Sequence, residues 1–229
     1  MTSDPTSIRD AATVILLRDT AEGPAILMGQ RGAKAAFMPN KFVFPGGAVD
    51  AADADVALAQ PVSDPCATRL REDSSTDLTN ALSAAAIREV WEETGQVIGA
   101  PGTWATPPAD WAEFAAKGHV PDAQHLHFFF RAITPPGRPR RFDARFFLMD
   151  AARLQSDPDD FSAASDELSH LQWIPVARAR DFNLPFITEV VLAEVAALRR
   201  IGPPASVPFF KNDDEDSLFR RIYGASPTE

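Results

Sequence analysis

Arg88-Glu89-Val90-Trp91-Glu92-Glu93-Thr94-Gly95 places three carboxylates and one guanidinium on little more than one helical turn. At about 100° per residue, Glu92 falls about 60° to one side of Glu89 and Glu93 about 40° to the other, so the acids share a face. Ile87, Val90 and Trp91 point away from that face and suit packing against a sheet. Arg88 stands four residues before Glu92, the spacing of a helical ion pair. Carboxylates this close repel one another unless a cation joins them, and an oxygen-only donor set suits Mg²⁺ or Mn²⁺ rather than zinc. Taken alone, such a run reads as a solvated helix face. Its surroundings favour a site. Thr94-Gly95 supplies the usual left-handed helix terminator. Upstream, strand-like Lys41-Phe42-Val43-Phe44 runs into Pro45-Gly46-Gly47, where a close backbone turn can offer a carbonyl to the same cation.

These residues resemble the Nudix hydrolase signature, G-x5-E-x7-R-E-U-x-E-E-x-G-U, with U aliphatic. The second half matches at Arg88, Glu89, Val90, Glu92, Glu93 and Gly95, with polar Gln96 at the last aliphatic place. The first half matches at Gly47, but Asp53 stands where the signature has Glu, and the segment from Ala54 to Ile87 replaces the usual seven residues. This is similar to the branch of the family that carries a long insertion inside the box, which includes a mammalian peroxisomal coenzyme A diphosphatase. Phe37-Met38-Pro39-Asn40, Asp50-Ala51-Ala52-Asp53, Ile133-Thr134-Pro135 and Arg140-Arg141-Phe142-Asp143 extend the likeness, which spans roughly residues 10 to 200.

The resemblance implies hydrolysis of a nucleoside diphosphate linked to another group. Glu89, Glu92 and Glu93, with the Gly47 carbonyl, would hold Mg²⁺ or Mn²⁺, and Arg88 would orient the acids. The branch points to coenzyme A or its acyl esters. The alternatives are ADP-ribose, a dinucleotide or a nucleotide sugar, or a ligand sensor of the same fold without catalysis. The intact Arg88, Glu89, Glu92 and Glu93 set argues against the sensor, whereas Asp53, with its shorter reach, argues weakly for it.

Working outward, 11–18 reads as a strand rich in Val14, Ile15, Leu16 and Leu17, and 25–29 as its neighbour across Glu22-Gly23-Pro24. A third strand is expected at 41–44. Residues 54–77 show no sustained period and contain Pro61 and Pro65. They read as an inserted loop outside the core, with one short helix near 56–60. Asp77 is an N-cap candidate for the helix that runs to Thr94. Helix is expected at 107–117, one further turn at 121–126, strands at 127–133, 141–150 and 171–174, and an amphipathic helix at 186–200, followed by a tail from 203 with the acidic run 213–216. This order fits one α/β domain, an α/β/α sandwich around a mixed sheet.

The chain has 229 residues, 45% of them hydrophobic, and a net charge of −10. That charge argues against a general nucleic-acid or anionic-membrane surface. A single cysteine, Cys66, excludes an intrachain disulfide. The start lacks a basic and apolar leader pattern, and no apolar run is long enough to span a bilayer. The expected partner is a small-molecule nucleotide in the cytoplasm, with no nucleic acid and no membrane; a homodimer is compatible with this reading.

The resemblance makes Glu167, on a loop before a strand, the candidate general base, with Glu92 or Glu89 as the alternative base while still binding the cation. Arg138, Arg140 and Arg141 cluster beside Pro135-Pro136-Gly137 and are candidates for reading a phosphate, as is Arg31 at a strand end. Of Phe128, Phe129 and Phe130, alternation places at least one in the core and leaves another as a candidate for stacking on a base. The four histidines lack metal-ligand spacing with Cys66.

Overall fold

Val14, Ile15, Leu16 and Leu17 are all buried, and consecutive side chains enter opposite cores. A strand with both faces covered requires layers on each side, and that is the architecture seen in the computed structural model, which describes residues 7–35, 37–212 and 217–224. The chain runs through β1 (Ile8–Thr20), β2 (Gly23–Arg31), β3 (Phe42–Val43) and β4 (Gly46–Ala48). It continues through α1 (Asp64–Arg71), α2 (Thr79–Thr94), β5 (Gly99–Pro101), α3 (Ala112–Ala116), β6 (His119–Pro121) and β7 (His127–Ile133). The last part forms β8 (Arg141–Asp150), β9 (Leu168–Pro175), α4 (Phe186–Ala196), β10 (Val207–Asn212) and β11 (Ser217–Ile222).

One mixed sheet has the order β11-β10-β7-β8-β1-β2-β3, with β4 added to β1 and β9 to β2. β1 and β8 pair in parallel from Ile8 opposite Arg141 to Leu17 opposite Asp150. Val14 and Leu16 meet Leu82, Ile87 and Val90 of α2 on one face. Ile15 and Leu17 share the other core with Val191, Leu192 and Val195 of α4. The expected α/β/α sandwich is therefore present. Among the described residues no helix is long and apolar enough to cross a membrane.

The insertion departs from expectation. Residues 56–60 are not helical; helix forms instead as a 3₁₀ turn at Ala51–Asp55 and as α1. Val56, Val62, Cys66 and Leu70 are buried in the same core as Ile87, so this segment is part of the core rather than outside it. α1 is too short to display a period, and Pro65 lies in its first turn, where the missing N–H costs nothing. Burial lifts the Cys66 thiol to about 11, which makes it an inert packing group. The expected turn at 121–126 is not helical; Pro121 ends β6. The tail supplies β10 and β11, while the acidic run 213–216 lies outside the described residues. Pro208 masked β10 in the sequence, since proline inside a run reads as a strand break.

Candidate active site

Gly95 ends α2 at φ 71°, its N–H bonded to Trp91 O, which fixes the last turn and the acids on it. Asp77 does not cap the helix in the strict sense. It lies just outside, accepts from the Thr79 N–H at 3.0 Å, and is held at about 2 by hydrogen bonds from Thr79 and Arg71.

Arg88 is buried and uses its whole fork. Nε and Nη2 donate to the two oxygens of Asp53, each at 3.0 Å. Nη1 donates to Glu89 Oε1 at 2.8 Å and Glu92 Oε2 at 3.2 Å, and Nη2 also reaches Ala48 O at 3.1 Å. The expected Arg88–Glu92 pair is thus present, alongside a second and more buried partner. Asp53, the residue that departs from the signature, is 2% exposed. The 3₁₀ turn brings it close enough for its short side chain to receive the guanidinium fork-to-fork, a geometry that fixes orientation as well as charge. Burial tends to lower the Arg88 pKa, but the Asp53 hydrogen bond and the charges of Glu89, Asp53 and Glu92 outweigh it and raise the net value.

The three acids occupy different environments. Burial raises Glu89 to about 7 against the pull of Arg88, and raises Glu92 less. Glu93 is 1% exposed and raised well above the usual carboxylate range, chiefly by burial. Its Oε2 accepts from the Gly46 N–H at 2.7 Å, while its Oε1 is buried with no hydrogen-bond partner. Gly47, paired with Ala12 of β1, has its bare Cα against Glu89: a Cβ there would lie 2.4 Å from that carboxylate. Among the described residues no three His, Cys, Asp or Glu side chains already converge as a cation cage, because Glu89 and Glu92 lean on Arg88 and Glu93 on Gly46. The donor chemistry nonetheless fits a hard divalent cation. It is oxygen-only, one carboxylate oxygen is buried without a partner, and a glycine leaves open the space beside Glu89.

Glu89, Gly46 and Gly47 line a cleft of about 790 Å³. Arg31 and Glu167 line it too, joined by an ion pair of 3.1 Å. The Glu167 loop is tied to the acidic helix: Ser165 N–H donates to Glu92 O at 2.8 Å. Gln96 Nε2 donates to Asp157 O and Asp160 O, and Gln96 Oε1 accepts from the Ser156 hydroxyl. The amide at an aliphatic place was the sequence signal for this tether, and its meaning is visible only in the structure. Arg138 and Arg140 line the cleft, as does Arg9, which sequence reasoning missed.

Arg141 is a correction. It is buried, and its guanidinium donates to Thr134 O and Asn212 O, tying strands together instead of lining the cleft. β8 begins at Arg141, whereas Arg140 lies in the loop before it. Phe128, Phe129 and Phe130 are all buried, which removes the stacking candidate. A register shift between Phe128 and Phe130 and cover on both faces of the sheet account for this.

No protein-family model matches the chain. It is 31% identical to nudix hydrolase 7 of Caenorhabditis elegans, in a match covering 73% of this chain and 52% of that protein. It is 26% identical to an acyl-coenzyme A diphosphatase, NUDT19, of Gallus gallus, covering 72% and 60%. The chain therefore spans little more than half the length of these relatives. A crystal structure of a NUDIX hydrolase from Alicyclobacillus acidocaldarius superposes with TM-score 0.61 at 28% identity, covering 86% of this chain and 99% of that one. With the fold, the Arg88-to-Gly95 part of the signature and these likenesses together, the chain belongs to the Nudix hydrolase family.

Proposed function

We propose that the chain hydrolyses the diphosphate of a nucleoside diphosphate linked to another group, with a divalent cation. The observation that carries this reading is the placement of Glu89, Gly46 and Gly47 in the same cleft as Arg31 and Glu167, with Glu92 and Glu93 one turn away on α2. Nudix hydrolases generally use divalent cations. Here Glu89, Glu92 and Glu93, with the Gly47 carbonyl, would hold Mg²⁺ or Mn²⁺. When bound, the cation neutralises phosphate oxygens and lowers the pKa of the attacking water.

The remaining work falls to side chains. Arg88, locked by Asp53, keeps Glu89 and Glu92 oriented. Glu167 takes the proton of the attacking water, whose oxygen ends on the attacked phosphorus as the phosphoanhydride bond breaks. Arg31 offers its guanidinium to a phosphate oxygen, and Arg138 and Arg140 offer theirs at the rim. The products are two phosphate monoesters.

For the substrate, we favour coenzyme A or its acyl esters. The insertion-bearing sequence pattern and the name of the Gallus gallus relative support this. The test is a panel of coenzyme A, ADP-ribose and a dinucleoside polyphosphate with Mg²⁺ or Mn²⁺, read by product mass. Cation-dependent release of a phosphopantetheine and an adenosine bisphosphate from coenzyme A is expected. Absence of cleavage across the panel contradicts the hydrolase reading, and cleavage of ADP-ribose alone contradicts the coenzyme A reading.

A further inference from the structure

Part of the cleft lining is aromatic. Phe186, at the start of α4, is 69% exposed and lines the cleft with Phe210 of β10. Their ring centroids are 6.5 Å apart, and Phe210 lies 6.3 Å from Phe219 of β11. The rings are tilted by 58° and 55°, so they do not form parallel plates for a planar base. Phe186 and Phe210 form an apolar wall of the cleft, backed by Phe219, and such a wall suits a flexible chain.

That wall is held from the opposite side of the sheet by the insertion inside the box. Arg69 of α1 donates to Tyr223 O, Pro204 O and Ala205 O. Glu72, at the end of α1, accepts the N–H groups of Tyr223 and Gly224 at 3.1 and 2.7 Å, and Asp73 pairs with Arg220. Arg131 of β7 in turn donates to Glu72 O and Asp73 O. β10 shares the pairs Phe209–Arg131 and Phe210–Ala132 with β7, and the ties from α1 to the segments flanking the hairpin add to that short pairing.

We propose that the inserted segment is a specificity device: by clamping the β10–β11 hairpin it holds an aromatic wall that takes an alkyl extension on the non-nucleotide side of the substrate. This rests on the diphosphate-hydrolase reading for the location of the phosphates, near Glu89, but concerns binding and not turnover. Arg69 and Glu72 are positioning residues; Phe210 is the contact.

The test is calorimetric titration of coenzyme A and octanoyl-coenzyme A without divalent cation. It uses the wild-type chain and the Phe210→Ala, Arg69→Leu and Glu72→Gln variants, with hydrogen exchange read across 207–212. The wild type is expected to bind the octanoyl compound on the order of tenfold or more tighter, given the apolar area an alkyl chain can bury. Phe210→Ala should erase most of that preference. At least one of the two clamp variants should shrink it, with faster exchange in β10 and the affinity for coenzyme A kept. Equal binding of the two compounds by wild type, a preference that survives in Phe210→Ala, or one that survives in both clamp variants overturns the proposal. Equal loss for both compounds in Phe210→Ala also overturns it, because the wall would then hold the shared nucleotide. Turnover with Mg²⁺ is measured separately. Its absence sinks the hydrolase reading, while the titration still decides what the wall binds.

Discussion

The Arg88 turn of α2 and the clamp between α1 and the β10–β11 hairpin are both dense in hydrogen-bonded charge, but they are built differently. Around Arg88, side chains bond chiefly side chains, with Ala48 O the exception, and two of its three acidic partners lie within four residues of the arginine. At the clamp, Arg69 and Glu72 bond main-chain carbonyls and amides as far as 135 to 154 residues away. The first arrangement requires particular residues at particular spacings. The second requires particular residues on one side only, because every residue but proline offers both a backbone donor and a backbone acceptor. Charge that orders other charge leaves a pattern in sequence; charge that orders a backbone does not.

The comparison can be broken most forcefully at its first member. Arg88→Met removes the partner of a carboxylate that is 2% exposed, and an uncompensated buried charge costs about 3–5 kcal/mol. Urea denaturation should show a loss of that size. A loss below about 1 kcal/mol would mean that Asp53 finds another partner and that the fork is not the organising contact.

The second member is tested through its core. Leu70→Ala in α1 should cost about 2–5 kcal/mol, the range for truncating a buried leucine. A change within about 0.5 kcal/mol would restore the sequence-based view of the segment as a dispensable loop. The smallest effect is expected at the junction of the two regions. Asp77→Ala removes the acceptor for the Thr79 N–H and for Arg71, and should cost about 1 kcal/mol by the same denaturation measurement. No measurable change there would mean that the start of α2 is fixed by packing alone.

The same contrast explains what could be read beforehand. β1, β2, β7, β8, α2 and α4 carry strong apolar runs or helical periods, and the β1–β2 pairing and the helices on both faces of the sheet follow from them, whereas the parallel pairing of β8 with β1 is seen only in the structure. Residues 54–77 and the tail were illegible for a physical reason. α1 shows only Cys66, Ala67 and Leu70 on its inner face, too few for a period, and Pro65 and Pro208 read as breaks where the structure tolerates them. At the site, Glu89, Glu92, Glu93 and Gly47 were legible through spacing and resemblance. Asp53 was legible as a departure from the signature, but its fork with Arg88 was not, because the reach of a short carboxylate depends on the turn that carries it. Arg141 was misread because three arginines close in sequence need not share a surface: Arg138 and Arg140 lie in the loop, and Arg141 begins β8.

We propose that Glu89, Glu92 and Glu93 form a cation site that is electrostatically unfinished in the protein alone. Burial lifts the folded Glu89 carboxyl to about 7 from its ordinary value of 4.5, so the native state holds more protons than the unfolded state between those values. Without a cation, stability should therefore fall as pH rises through that window. A cation needs the ionised form, so its benefit should grow over the same range. The direct measurement is thermal unfolding of the wild type and Glu93→Gln at pH 6 and pH 8, with and without Mg²⁺ or Mn²⁺. At one hundred times Kd, the wild type should gain about 5–10 °C. The gain should be larger at pH 8 than at pH 6, and nearly absent in Glu93→Gln, which keeps the acceptor for Gly46 but loses the charge. No cation-induced gain in wild type, a gain that is greater at pH 6, or an equal gain in Glu93→Gln would contradict the assignment.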